Sequence, residues 1–364
     1  MKGFLSLFLM LIFGVLTAQN ATEFTWYKVD KMKHGGRIDT ETSNPFQRFP
    51  DSMKNIVRKR VWDLSENPAG VYMNFETNTD EIIVKYEVKG PVEFPHMPAT
   101  GVSGIDLYKR DEGNWDWVKA NYNFADTISY KFRLKDTIDS TQNKLRLYLP
   151  LYNTVSHMEI GIKTNSNYKE SPRDLTKPIV VYGTSITQGA CAGRPGTAWT
   201  SILSREIGIP LFNYGFSGNG RLEEEVLNFL AQLDAEVFIL DCLANFTSGQ
   251  GLNAQQAKIR LIEGVKTIRK SHPETPIILT DHAHAGYPHG AVHYPEKEKY
   301  LELNRSNREA FEKLKREGFD NIYLLGFKEL GLDQEDFIDG VHPNDAGMIK
   351  YANAYLHLLR KVIN

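Results

Sequence analysis

From Pro178 onward, short apolar runs alternate with segments of helical period, and this alternation limits the possible folds more than any other feature. Pro178-Ile-Val-Val-Tyr-Gly opens the series, and further strands are expected at 210–214, 236–241, 276–280 and 321–325. Between and after them, helical spacing predicts helices over 198–207, 222–233, 254–270, 296–316 and 345–362. Strands that are apolar throughout are buried on both faces, so the expected domain is α/β, a three-layer arrangement with helices on each side of a parallel sheet. In such sheets the ligand site lies beyond the C-terminal strand ends.

Upstream, residues 24–162 show short β-type runs punctuated by Asn, Asp, Gly and Pro, as in Glu81-Ile-Ile-Val-Lys-Tyr-Glu-Val. They predict a β-sandwich, jelly-roll-like, over 20–165, and the polar stretch 163–177 reads as a linker to an α/β domain at 176–364. Trp115 and Trp117, two apart on a strand-like segment, share a face suited to sugar stacking or to ordinary sheet packing.

The 364 residues and 41% hydrophobic content suffice for two domains, and a net charge of -2 offers no basic face for nucleic acid. Lys2, an apolar run from Phe4 to Leu16 and then Thr17, Ala18, Gln19 and Asn20 read as a signal peptide, residues 1–19, cleaved near Ala18. The run is shorter than the ~20 residues a bilayer span needs, so an exported chain (periplasmic, outer surface or secreted) without stable membrane insertion is expected. No Cys follows the apolar run, so a lipoprotein anchor is not indicated. Cys191 and Cys242 are the only cysteines, which excludes a disulfide-stapled scaffold and a four-Cys metal site but leaves the two able to pair.

The first α/β strand ends in Gly183-Thr184-Ser185, where a hydroxyl can leave the sheet toward substrate. Asp339-Gly340-Val341-His342-Pro343 follows the last strand. A serine nucleophile needs an imidazole to take its proton, and the imidazole needs a carboxylate to hold its tautomer, so one turn can deliver both groups. Asn344 is available to cap the final helix, leaving Asp339 for this role. Gly218, in a glycine-rich turn after the second strand, and Asn245, after the third, can supply donors to an oxyanion.

Ser185, Gly218, Asn245 and His342, in this order, resemble the SGNH (GDSL-like) hydrolase superfamily over about 176–364. The resemblance implies a flavodoxin-like fold for the α/β domain, with Ser185 as nucleophile, Ser185, Gly218 and Asn245 as oxyanion donors, His342 as base and Asp339 as acid. Thr184 stands where this family commonly has Asp, and Leu243-Ala244-Asn245-Phe246 replaces a Gly-x-Asn-Asp pattern. Gly104-Ile105-Asp106-Leu107-Tyr108 resembles the Gly-x-Asp-Leu-Tyr signature of a β domain that precedes one bacterial subgroup, although Asp106 and Tyr108 read on their own as a strand-end turn and a core aromatic.

Arg194 reads as a solvated loop charge or as a contact for a polar substrate group. Asp281, His282 and His284, with His289 and His293, suggest substrate contacts ahead of a metal cluster. The expectation is therefore a cofactor-free, metal-free exported serine esterase acting on a small-molecule or polysaccharide ester, with acetylated carbohydrate first among substrates. The alternatives are a lipid or aryl-ester hydrolase and, from another class, a non-catalytic glycan-binding protein. Oligomeric state is left open.

Overall fold

The structure, a computed structural model, describes residues 23–29, 32–40, 42–134, 143–247, 251–284 and 296–363. Residues 1–19, expected as a signal peptide, and His289 and His293 lie outside the described residues. Among the described residues, eleven strands precede the α/β unit: β1 (Phe24–Lys28), β2 (His34–Gly35), β3 (Tyr72–Thr77), β4 (Glu81–Val88), β5 (Asp106–Asp111), β6 (Asn114–Val118), β7 (Ala120–Asn123), β8 (Ile128–Arg133), β9 (Asn143–Tyr148), β10 (Val155–Lys163) and β11 (Tyr168–Glu170). They form two antiparallel sheets, ordered β1-β10-β4-β8-β7 and β11-β3-β9-β5-β6, with β2 beside β3. In β4 the period of two turns Ile82, Val84 and Tyr86 into the shared core while Lys85 and Glu87 face outward.

The α/β unit contains β12 (Ile179–Gly183), β13 (Leu211–Gly215), β14 (Val237–Asp241), β15 (Ile277–Thr280) and β16 (Ile322–Leu325), all parallel, in the order β13-β12-β14-β15-β16. That 2-1-3-4-5 order is the flavodoxin-like arrangement. Central β12 is buried at every position. Val180 and Tyr182 face a core built with three helices, α5 (Glu224–Leu230), α6 (Ala254–Ser271) and α7 (Lys297–Arg316). Ile179 and Val181 face α4 (Trp199–Ile207) and α9 (Asp345–Val362). Two short helices, α3 (Ser185–Gln188) and α8 (Phe327–Leu330), follow β12 and β16.

Two features depart from the sequence reading. The expected linker contains β11, which pairs with β3, because Tyr168 finds an apolar place against Tyr27 and Phe75. Residues 49–65, including α1 (Lys59–Ser65), do not join the sandwich core, and a further short helix, α2 (Ala99–Val102), precedes β5. Phe49, Met53, Val57, Val61, Trp62 and Leu64 instead pack into the α5–α7 side of the other unit. Arg48, fully buried beside them, donates to the carbonyls of Asn213 (2.9 Å) and Gly215 (2.7 Å) at the end of β13 and to those of Leu64 (2.6 Å) and Asn67 (2.8 Å). Burial pulls its pKa down to about 9, which still leaves it cationic at neutral pH.

Arg48→Met roughly keeps the volume but removes the guanidinium from the carbonyls of Asn67, Asn213 and Gly215, while Leu64 O keeps the Asn67 N–H (3.2 Å). Loss of about 3 kcal/mol or more is expected, read as a fall in the chemical-denaturation midpoint.

Candidate active site

Each candidate side chain follows a parallel strand at its C-terminal end: Ser185 after β12, Gly218 after β13, Asn245 after β14, His282 and His284 after β15, and Asp339 and His342 after β16. Ser185 begins α3, and its Oγ lies 2.8 Å from His342 Nε2. His342 Nδ1 is 2.7 Å from Asp339 Oδ2. The other carboxylate oxygen, Oδ1, accepts the backbone N–H groups of Val341 (3.1 Å) and His342 (2.8 Å), so local backbone fixes the acid before the imidazole meets it. Partial burial works against the ionised form of Asp339, but the His342 ring and these N–H groups outweigh it and hold the pKa well below the usual carboxylate range. Asn344 does cap α9, accepting from Gly347 N–H.

The turns carrying Ser185, Gly218 and Asn245 are tied to one another. Gly183 O accepts Phe216 N–H (3.1 Å), and the Asn245 side-chain amide donates to Asn219 O. Gly220 is required at its place: its φ is +68°, and a Cβ there would stand 2.0 Å from Gly183 O. Gly218, also in the left-handed region, has open space where a side chain would be. Thr184 is buried with an unpartnered hydroxyl.

His282 and His284 are both buried beside Tyr300, with ring centroids 4.3 Å and 5.0 Å from it. Burial pulls the His282 pKa down to about 3, reinforced by His284 and His342, while burial and then Lys297 pull His284 down to about 4. Both rings are therefore neutral at ordinary pH. Among the described residues, no three His, Cys, Asp or Glu side chains stand together as a metal site.

The cysteines do not pair. Cys242 Sγ packs against Tyr182 O inside the α5–α7 core, whereas Cys191 Sγ faces His96 O in a separate small cluster, so the sheet edge separates them. Arg194 is neither a free loop charge nor placed by itself. It donates to Asp106 (2.8 Å) and Tyr108 (2.8 Å) and lies over the Trp117 ring, 4.5 Å from its centroid. Asp106 is accordingly no simple turn residue: its buried carboxylate also accepts Gly196 N–H (2.8 Å) and Trp117 Nε1–H (3.0 Å). A Cβ on Gly196 would fall 2.7 Å from that carboxylate and 2.4 Å from the Tyr108 ring, so only glycine permits the approach. Trp115 lies under Arg146, 4.6 Å from the guanidinium.

Three groups escaped sequence reasoning. Asp241, buried at the end of β14, accepts from Tyr351 (3.1 Å) and Thr187 (3.4 Å) beneath α3, and burial pushes its pKa up to about 7. His96, from the β unit, brings a second imidazole within 6.1 Å of the His342 ring. Phe94, His96, Tyr152 and Asn153 join Ser217 and His342 around an open cleft of about 510 Å³. Nothing local marks these β-unit residues, because only the fold carries them to the cleft.

Residues 176–360 match the model of the GDSL-like lipase/acylhydrolase family, and residues 24–168 match that of the N-terminal domain of SGNH-hydrolase-type esterases. The chain belongs to the GDSL-like lipase/acylhydrolase family. Among solved structures, a protein assigned as a GDSL-like lipase from Bacteroides ovatus is 31% identical with a TM-score of 0.84, over 93% of this chain and 98% of that one. A salicylyl-acyltransferase from a tetracycline biosynthetic pathway (19% identity, TM-score 0.72, 94% and 98% coverage) shares the fold. So does an acetyl xylan esterase from the rumen bacterium Butyrivibrio proteoclasticus (13%, 0.52, 93% and 98%). No curated protein matches the sequence. This GDSL-like chain has no described helix long and apolar enough to cross a membrane.

Burial pushes the Cys191 thiol up to about 12 and raises Cys242 as well. Native protein should therefore leave a thiol-specific chromogenic disulfide unreacted at pH 8, and denaturation should release two equivalents; one pre-formed disulfide would release none.

Proposed function

We propose that this GDSL-like chain is an exported serine esterase that removes acetyl groups from carbohydrate. The observation that carries the reading is the unbroken series Ser185 Oγ, His342 and Asp339, spaced 2.8 and 2.7 Å, whose His342 lines the cleft between the two units. Ser185 Oγ attacks the acyl carbon while His342 Nε2 takes its proton, and Asp339 stabilises the imidazolium. The backbone N–H groups of Ser185 and Gly218 and the Asn245 amide receive the developing oxyanion. Collapse of the intermediate returns the proton to the departing alcohol, and water repeats the cycle on the acyl-enzyme.

The cleft favours a hydroxylated leaving group over a lipid. Arg60, Asp63, Glu66, Lys89 and Asn153 line it, and charged walls would have to be desolvated to take an alkyl chain. Neutral His282 and His284 flank the site from the β15 side as substrate contacts. We read the mature enzyme, after loss of residues 1–19, as a sandwich over 20–165 and an esterase domain over 176–364. The acetyl xylan esterase in the fold comparison acts on an acetylated glycan, which is consistent with this choice.

Ser185→Ala should abolish release of nitrophenol from p-nitrophenyl acetate with an unaltered melting temperature. Asp339→Asn, which misdirects the imidazole, should lower kcat by roughly 10³–10⁴-fold. Near-normal turnover by either variant would refute the assignment.

A further inference from the structure

Two exposed aromatic side chains open on one pocket outside the cleft just described. Trp117 is 48% and Tyr122 55% exposed, and no other aromatic residue is among the exposed large hydrophobic side chains of the described residues. Exposing two large rings on one pocket forgoes burial energy, which marks such places as binding surfaces. The pocket encloses about 310 Å³ at the corner where β6 passes to β7, lined by Trp117, Tyr122, Tyr130, Thr100, Lys119 and Arg194, among others.

Both rings are held in place. Tyr122 stacks on Tyr130 with centroids 5.2 Å apart and planes 29° from parallel, which leaves its other face uncovered by that partner. Trp117 is fixed through its indole N–H to Asp106 and through Arg194 over its ring. Apolar walls with a few polar groups at the rim match a pyranose ring, whose C–H face is apolar and whose edge carries hydroxyls.

The pocket also lies close to the esterase cleft. Ala190 and His96 line the cleft, while Arg194 and Thr100 line the pocket. Arg194 is four residues from Ala190 and Thr100 four residues from His96, so the Cα atoms of neither cleft–pocket pair can lie more than ~14 Å apart. We propose that this pocket is a distal sugar-binding subsite that anchors an oligosaccharide while a neighbouring unit presents its acetyl ester to Ser185. This rests on the carbohydrate-ester reading above, but its test need not.

Binding is measured calorimetrically on the full-length Ser185→Ala protein with unacetylated xylo-, cello- and mannohexaose, alone and with either Tyr122→Ala or Ala120→Arg, the second of which fills the pocket without removing a ring. At least one hexaose should bind and weaken about tenfold in both variants. Absence of binding by all three, or binding unchanged in a folded variant, overturns the subsite. With active protein, the kcat/KM ratio of acetylated hexamer to acetylated monomer should exceed one and fall to about one in the variants, and an unaltered ratio overturns the subsite as well. Retained hexaose binding with no deacetylation by active protein would sink the substrate reading while leaving the subsite standing.

Discussion

The central strand Ile179–Gly183 is apolar on both faces, and the remainder of the molecule follows from covering it. One face is met by α4 and α9, the other by α5 to α7 together with the segment 49–64 from the N-terminal side. Helices can lie on both faces only if the strands run parallel with crossovers, and parallel strands gather all their C-terminal ends at one edge. Ser185, Gly218, Asn245, His282 and His342 meet there for that reason, although they span more than 150 positions of sequence. The buried Arg48 guanidinium then ties the covering segment to the end of β13, satisfying carbonyls that a sheet edge would otherwise leave without partners.

The second joint explains the Gly-x-Asp-Leu-Tyr signature in physical terms. Strand period two sends Asp106 and Tyr108 to one face of β5 and Leu107 to the sandwich core. The outward pair grips Arg194 and the Gly196 backbone in the loop that follows the Ser185 turn. That loop is held from its other side, since Thr100 donates to Gly193 O (2.7 Å) and Gly193 N–H donates to Asp345 (2.8 Å), three residues beyond His342. The β unit is thus bonded to the loop that follows Ser185, that loop is bonded in turn to the first residue of α9, and the β unit forms a wall of the cleft. An accessory domain joined this way shapes the site instead of merely hanging from it.

Legibility in the sequence followed the range of the interactions. The five parallel strands and the long helices were readable because hydrophobic period is local, and α9 spans the residues its period predicted. The Asp339–His342 turn was readable because the carboxylate, two backbone N–H groups and the imidazole all lie within four residues. Arg194 and Asp106 were misread for the opposite reason. Each alone resembles a surface charge or a turn residue, and their pairing spans 88 positions. The possible disulfide failed likewise, because two cysteines near one sheet edge can belong to different cores.

By itself the sequence determined a two-part chain with a parallel α/β unit and an ordered set of Ser, Gly, Asn and Asp-x-x-His at its strand ends, since these depend on period and on contacts within a turn. Only the tertiary structure decided which surfaces close over that site. His96, Phe94 and Tyr152 reach the cleft through the docking of one unit on the other, and the same docking adds Arg194 to the pocket that Trp117 and Tyr122 frame within the β unit. That docking is set by buried contacts such as Arg48 to β13 and Asp106 to Arg194, whose partners lie far apart in the chain and carry no local pattern.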